Sequence, residues 1–347
     1  MRQTVIFLFF LLTAAVFAGE SYNFFMISDP HFGAADTYLT DPKAPKRYKT
    51  KKNIHRADKT MYLYKGLFAD IRKKSDAGTR FIIEGGDLVE GGTPGEAVHK
   101  KILQDALVLM RNYFKYPIYM VKGNHDAFGL GGEAAYKSVL LPEIAKYAGK
   151  EKLDFANYAV TCGPDLYIYM DFHPKARGFK FVHDTLAGLK NKPRYVFVIL
   201  HCPMIFTHQF EKEALPLCEL LTQYNGILLA GHCHQNTITK FERNGNAMLQ
   251  VTVSTFTTLH PLKFMRLVDT KTTVEQEKAR FIEKIKRRKA DAFLPVFQEK
   301  WAPYITEFRH IKGVGYAHFD VSDKGISVRF QSVDLNQKPI TVQLVSK

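Results

Sequence analysis

The sequence predicts an α/β fold, a two-layer sandwich of sheets with flanking helices. Apolar runs of strand length alternate with helical stretches as far as His234, the pattern of strands and helices around a buried sheet. Beyond His234 the pattern becomes strand-rich, so a second sheet is expected to pack on the first. Of the 347 residues, 46% are hydrophobic and 24% charged, which is typical of globular proteins and excludes disordered, collagen-like and coiled-coil chains.

Each predicted strand is a short apolar run, and each predicted helix repeats apolar residues at intervals of three or four. The strands expected before His234 are Tyr22–Ser28, Arg80–Glu84, Pro117–Val121, Tyr158–Thr161, Leu166–Asp171, Tyr195–Leu200 and Ile227–Ala230. The helices expected among them are Ala57–Ser75, Gly95–Tyr113, Ala134–Tyr147, Phe179–Lys190 and Glu211–Gln223. Later strands are expected at Ala247–Ser254, Lys263–Asp269, Gly313–Asp320, Gly325–Phe330 and Ile340–Val345, with one charged helix at Val274–Lys300.

The first residues have the pattern of a secretory signal peptide. Arg2 precedes an apolar stretch, Val5–Phe17, and the small residues Val16 and Ala18 fit a cleavage site before Gly19. This stretch is shorter than the ~20 residues that a membrane-spanning helix needs. We therefore expect residues 1–18 to be removed and the protein to be exported to the periplasm or secreted, without a transmembrane segment. Residues 19–347 are expected to form a single domain, with the motifs in 21–270 and a strand-rich part in 271–347.

The chain is basic, with a formal net charge of +15. Two runs concentrate this charge, residues 43–52 and residues 284–289. Such runs are usually solvated faces, but they also fit electrostatic guidance of a phosphate-bearing substrate, an anionic surface or nucleic acid. The oligomeric state stays open. The pairing of Cys162, Cys202, Cys218 and Cys233 also stays open, because export permits disulfides but the four cysteines also fit small buried hydrophobic residues.

Polar residues follow five of the predicted strands at their carboxyl ends. In chain order they are Asp29-Pro30-His31, Gly85-Gly86-Asp87, Gly123-Asn124-His125-Asp126, His201 and Gly231-His232-Cys233-His234. The carboxyl ends of strands form the ligand crevice of an open α/β sheet. Carboxylate, amide and imidazole groups are ligands for Mn, Fe, Zn or Ni, and a set this rich can hold two ions. Asp87 is the natural bridging carboxylate, because the glycines before it let the backbone approach the site.

This ordered set resembles the calcineurin-like metallophosphoesterase family over residues 21–270. The resemblance implies the metallophosphoesterase sandwich and two divalent or mixed-valence ions. One ion would be held by Asp29, His31 and His234, the other by Asn124, His201 and His232, with Asp87 between them. In the family a hydroxide shared by the ions attacks phosphorus. His125 would assist the leaving group, and Asp126 would orient His125.

The implied function is hydrolysis of phosphate esters by an exported enzyme, with diester or broad specificity. The alternatives are an acid-phosphatase-like phosphomonoesterase, an extracellular nuclease and, least favoured, a non-catalytic binding module. Glu90 stands where the purple acid phosphatase branch has tyrosine, and His201-Cys202-Pro203 resembles the branches with phosphodiesterases and acid phosphatases. A dinucleotide fingerprint at residues 129–134 lies too far past its strand to form the tight first turn of that motif. His173 and His208 are weaker candidates for contact with substrate.

Overall fold

A computed structural model describes the chain in six stretches, residues 21–33, 64–93, 95–171, 175–207, 214–255 and 266–346. The predicted signal peptide, the basic run at residues 43–52, His173 and His208 lie outside these stretches. Within them, no helix is both long and apolar enough to cross a membrane.

The described residues form strands and helices in the predicted alternation. The strands are β1 Tyr22–Ile27, β2 Thr79–Glu84, β3 Ile118–Met120, β4 Tyr158–Cys162, β5 Asp165–Met170, β6 Val196–Leu200, β7 Ile227–Ala230, β8 Asn236–Arg243, β9 Asn246–Thr252, β10 Val268–Asp269, β11 Ile305–Lys312, β12 Gly315–Ser322, β13 Gly325–Ser332 and β14 Ile340–Ser346. The helices are α1 at residues 64–74, α2 Glu96–Tyr113, α3 Gly132–Ala135, α4 Leu141–Tyr147, α5 Lys175–Ala187, α6 Ala214–Thr222, α7 Val274–Arg287 and α8 Phe293–Lys300. A π-helical turn, Tyr136–Leu140, joins α3 to α4.

The strands build two mixed sheets, which confirms the predicted fold class. One sheet has the order β14-β13-β12-β1-β2-β3 and the other the order β10-β11-β8-β9-β7-β6-β5-β4. Strands β1, β2 and β3 are parallel, as are β5, β6, β7 and β9. The strands that end in the polar motifs therefore belong to the parallel part of each sheet.

An aromatic core joins the two sheets. Phe24 of β1 stacks on Phe319 of β12 with ring centroids 4.7 Å apart. The same ring meets Tyr167 of β5 and Phe197 of β6 edge-on, at 5.6 Å and 5.9 Å. Because side chains alternate between the faces of a strand, Val198 of β6 points away from this core and into a second one against the helices.

Two parts of the second half depart from the sequence prediction. Strands β8 and β11 are absent from the predicted set, although they pair with each other along most of their length. The single helix predicted at Val274–Lys300 is wrong, because α7 ends at Arg287 and α8 begins at Phe293. Lys289 between them has a φ of 55°, a left-handed conformation that stops an α-helix. The break folds α8 back so that Phe297 packs edge-on against Phe281, with centroids 4.9 Å apart.

Candidate metal centre

The polar motifs converge where the parallel strands of both sheets end. Backbone hydrogen bonds hold these ends together. The amide of Asp29 donates to the carbonyl of Gly86 at 3.0 Å, and that of His31 to the carbonyl of Asp87 at 2.9 Å. In the other sheet the amide of Gly231 donates to the carbonyl of His201 at 2.9 Å. The segments after β1 and β2, and after β6 and β7, are thus fixed in pairs.

Asp29, His31 and His234 form the first group of potential ligands, with one ligand atom from each lying within 4.8 Å of the others. The Nε2 atoms of the two histidines are 3.1 Å apart. Asp29 Oδ1 lies 3.2 Å from His234 Nε2 and 3.8 Å from His31 Nε2. Its other oxygen accepts hydrogen bonds from the Ser28 hydroxyl and the His232 amide, at 2.6 Å and 2.8 Å. One oxygen therefore anchors the carboxylate while the other faces the ring nitrogens.

Asp87, His201 and His232 form a second group that meets the same distance limit. The Nε2 atom of His201 is 3.2 Å from both Asp87 Oδ2 and His232 Nδ1. His201 Nδ1 donates to the carbonyl of Gly85 at 2.8 Å, so Nδ1 keeps its proton and Nε2 is the nitrogen at which an ion would take the place of a proton. A backbone carbonyl at the second nitrogen is the usual support of a metal-binding histidine.

Asp87 stands between the two groups. Its Oδ2 atom is 3.2 Å from His201 Nε2 in the second group and 3.8 Å from His31 Nε2 in the first. Its Oδ1 atom accepts a hydrogen bond of 2.6 Å from the amide of His125. Asp87 thus repeats the arrangement of Asp29, with one oxygen anchored by the backbone and one facing imidazole nitrogens.

Two of the buried donor atoms in the site lack hydrogen-bond partners among the described residues, which suits them to bind metal ions. Asp29 Oδ1 and Asn124 Oδ1 are buried, and neither has a hydrogen-bond partner among the described residues. Buried polar atoms normally find partners, so unpartnered oxygens beside converging imidazoles indicate that an ion completes the arrangement. Asn124 follows β3 and lies between Gly123 and His125, whose amides both donate into the site.

The backbone of the site adopts conformations that side chains normally avoid. Five predicted ligands have positive φ, namely Asp29 at 49°, His31 at 50°, Asp87 at 56°, His232 at 65° and His234 at 54°. Such values are uncommon outside glycine and cost free energy at each residue, and they cluster at functional sites. The strained residues lie at the strand ends where the two ligand groups converge.

Electrostatics in the site favour positive charge. Burial raises the pKa of Asp87, but the nearby histidines, His201 above all, outweigh it and hold the pKa well below its usual value. Burial lowers the pKa of His201, but Asp87 and Asp29 reverse that effect and hold it well above the ordinary value. Burial together with His201 lowers the pKa of His232 to about 4. The carboxylates therefore stay ionised and attract a cation, while His232 stays neutral and able to ligate one.

His125 and Asp126 both lie at the site, but the predicted contact between them is wrong. The carboxylate of Asp126 accepts hydrogen bonds from the amides of Gly123 at 2.7 Å, Asp87 at 3.1 Å and Val89 at 3.3 Å. Asp126 is fully buried and braces these backbone segments instead of the His125 ring. The atom that orients His125 is the carbonyl oxygen of Glu90, 2.6 Å from His125 Nδ1.

Glu90 is the residue that the sequence analysis missed. Its carboxylate Oε2 lies 2.9 Å from His31 Nδ1, and its carbonyl holds His125. One residue therefore fixes two histidines whose rings meet edge-on at 4.7 Å. The only sequence signal was its place three residues after Asp87, which identified Glu90 as a departure from tyrosine and not as a partner of histidine.

Residues 22–236 match the family model of the calcineurin-like phosphoesterases. The chain belongs to this family. The predicted resemblance is thus confirmed over the region that holds all the motifs. No curated protein matches the chain well enough to count as a relative.

Solved structures share the fold of this chain at low sequence identity. A dimetal phosphatase from Danio rerio is similar with a TM-score of 0.54 and 10% identity, over 93% of this chain and 99% of that one. PhoD is similar with a TM-score of 0.50 and 9% identity, over 93% of this chain and 68% of that one. Identities this low carry the fold and no more.

Proposed function

We propose that this calcineurin-like phosphoesterase is an exported enzyme that hydrolyses phosphate esters, with diester or broad specificity, at a centre of two metal ions. One ion is assigned to Asp29, His31 and His234, and the other to Asn124, His201 and His232. The observation that carries the proposal is the position of Asp87. Asp87 Oδ2 lies between the two ligand groups, 3.2 Å and 3.8 Å from their imidazole nitrogens, which supports an assignment in which Asp87 would help to hold both ions.

Two bound ions would polarise the phosphoryl oxygens and lower the pKa of the attacking water. The side chains of the protein orient the ligands and the substrate, and they supply the proton for the leaving group. Hydrogen bonds from His201 to Gly85 and from His125 to Glu90 fix which ring nitrogen carries a proton. With Nδ1–H donated to the Glu90 carbonyl, His125 presents Nε2 to the site. In the imidazolium form Nε2 carries the second proton, and giving it to the leaving oxygen leaves the ring neutral with its proton on Nδ1.

Hydrolysis of bis(p-nitrophenyl) phosphate and p-nitrophenyl phosphate tests the proposal, with added Mn²⁺ or with chelator, alongside metal analysis. We expect two equivalents of metal, loss of turnover on chelation and faster turnover of the diester. Preference for the monoester would replace the diester assignment with a phosphomonoesterase. Two bound metals without turnover of either ester would contradict an enzymatic function of broad specificity.

Export is proposed from the apolar stretch that precedes Gly19. N-terminal sequencing of the full-length chain expressed in a secreting bacterium provides the test. We expect protein outside the cytoplasm that begins at Gly19. Cytoplasmic protein that begins at Met1 would contradict export and leave the proposed chemistry unaffected.

A further inference from the structure

A cavity of about 360 Å³ adjoins the candidate metal centre. His232, a member of the second ligand group, and the neighbouring Cys233 are part of its lining. Helix α7, which carries none of the sequence motifs, lines another part of the cavity. A cavity of this size lies in the range of small-molecule sites, so a substrate at the metal centre can extend into it.

The lining from α7 is strongly cationic. Arg280, Lys284 and Arg287 follow one another at intervals of four and three residues, which places them on one side of the helix, and Arg288 comes directly after it. Arg280 pairs with Glu277, the one carboxylate in the lining, at 2.8 Å. In the stretches that the structure describes, Lys284, Arg287 and Arg288 have no carboxylate within ion-pair distance. Among the described residues, the lining thus carries a net positive charge.

A second observation points to a polar ligand in the same cavity. Thr239 of β8 is fully buried and lines the cavity, and its hydroxyl has no hydrogen-bond partner among the described residues. A buried hydroxyl without a partner is rare, and a ligand oxygen would satisfy it. Phe206, Phe281 and Phe308 add an aromatic wall, in which Phe206 meets the other two rings edge-on at 5.6 Å and 5.4 Å. The cavity therefore combines cations, a free hydroxyl donor and apolar surface.

We propose that this cavity is a subsite for a second anionic group of the substrate. The substrate is a small phosphate ester whose organic part also carries a phosphate or a carboxylate. Lys284, Arg287 and Arg288 bind the second anion, Thr239 donates to it, and the phenylalanines contact the organic part. This inference rests on the proposed function, because it places the ester that is cleaved at the centre beside His232. The volume of about 360 Å³ favours a small molecule over a nucleic acid strand.

Matched substrate pairs test the subsite. Adenosine 3′,5′-bisphosphate is compared with adenosine 5′-monophosphate, and phosphoglycolate with ethyl phosphate, by release of inorganic phosphate from the metal-loaded enzyme. Contacts between cationic side chains and an anion predict a kcat/KM at least about tenfold higher for the doubly anionic member, mainly through KM. A preference within the first pair identifies phosphate as the second group, and one within the second pair identifies carboxylate. Equal kcat/KM within both pairs would overturn the proposal.

Two double variants in and next to α7 distinguish a specific anion subsite from a general electrostatic effect of the positive charge on this helix. Lys284→Gln with Arg288→Gln removes two charges from the cavity, whereas Lys278→Gln with Lys286→Gln removes two charges from the same helix outside it. The first double variant should lose the preference for the doubly anionic substrate, and the second should keep it. Equal losses in both would overturn the subsite in favour of long-range steering. Faster cleavage of oligonucleotides than of the bisphosphate, with the same loss in the first variant, would overturn the small-molecule assignment.

A binding experiment keeps this inference separate from the proposed function. Calorimetric titration of chelator-treated protein with adenosine 3′,5′-bisphosphate measures the affinity for this ligand in the absence of turnover. Binding that weakens in Thr239→Val and in the first double variant would support the subsite even if no ester were hydrolysed. Absence of binding to the chelator-treated protein, together with metal-dependent hydrolysis of simple esters, would overturn the subsite and leave the proposed function standing.

Discussion

At the scale of single residues, Asp87 decides whether the centre holds two ions. Its Oδ2 atom faces both histidine groups, and its Oδ1 atom accepts the His125 amide. We expect Asp87→Ala to lower the metal content as well as the rate of ester hydrolysis, because the variant removes the one carboxylate that, in the described stretches of the chain, lies between the two ligand groups. Metal analysis together with an assay of p-nitrophenyl esters measures both. Normal metal content at a normal rate would contradict the bridging assignment.

His125 gives the complementary case, a loss of rate without a loss of metal. Its Nδ1 atom binds the Glu90 carbonyl at 2.6 Å, so the ring is held in place by the backbone. If His125 supplies a proton to the leaving oxygen, His125→Ala should reduce kcat by roughly 10²–10⁴ while metal content is unchanged. The loss should be smaller for p-nitrophenyl esters, whose leaving group needs little protonation, than for alkyl esters. Equal losses for both kinds of ester would contradict the role of proton donor.

The sequence predicts the members of this site better than the contacts among them. Asp29, Asp87 and His201 could be assigned because each follows an apolar strand, and parallel strands end at one edge of a sheet. The partners of Asp126 and Glu90 could not, because they depend on how short loops turn and on positive φ at non-glycine residues. Residue identity records which ligand types are present, whereas the direction of each side chain is set by the loop backbone.

At the scale of elements, the sequence analysis missed strands β8 and β11 because their residues lack a clear strand pattern. Strand β8 buries Thr237 and Thr239 along with Ile238 and Phe241, so its sequence lacks the apolar alternation of a half-buried strand. It lies between two neighbours, since Thr239 of β8 pairs with Gln250 of the adjacent β9 and with Phe308 of the distant β11. The turn at Asn244-Gly245 is the local signal of the β8–β9 hairpin, whereas the pairing with β11 has no local signal.

Helix α7 offers a direct test of a local sequence signal. The Thr273 hydroxyl accepts from the amide of Gln276 at 3.2 Å, and the Gln276 side chain accepts from the amide of Thr273 at 2.9 Å. Removing the first of these capping interactions with Thr273→Ala should lower the free energy of unfolding by about 1 kcal/mol. Urea denaturation measures the loss, and Thr273→Ser, which keeps the hydroxyl, should largely restore stability. No difference between the two variants would contradict a stabilising role for the cap.

At the scale of the whole molecule, Asp165 and Arg194 form a buried ion pair whose other contacts cross between the two sheets. Asp165 of β5 accepts from Arg194 at 2.6 Å and 3.0 Å, and from the hydroxyl of Tyr22 in β1 at 2.7 Å. Asp165→Ala leaves a guanidinium with only 8% exposure without its buried acceptor, so we expect a loss of about 3–5 kcal/mol in unfolding free energy. Asp323, the other partner of Arg194, is 56% exposed, and Asp323→Ala should cost at most about 1 kcal/mol. Similar losses in both variants, measured in urea, would contradict the importance of burial.

Stability should also depend on pH through His318 of β12, which stacks on Phe25 of β1 with ring centroids 4.0 Å apart. Burial, and then the nearby Arg329, lower the pKa of His318 from 6.5 to about 3. Between these values the unfolded chain binds a proton that the folded chain excludes. The free energy of unfolding should therefore fall as pH drops below about 6.5, by up to about 1.4 kcal/mol per pH unit from this residue.

The His318→Gln variant isolates that contribution, because other titrating groups affect both proteins alike and cancel in the difference. The unfolding free energy of wild type minus that of the variant should decrease steadily from pH 7 to pH 4 in urea titrations. Arg329→Gln removes the second cause of the pKa shift, so its pH dependence should lie between those of the wild type and His318→Gln. A difference that stays constant across this range would show that His318 is protonated equally in the folded and unfolded chain, and would contradict the predicted shift.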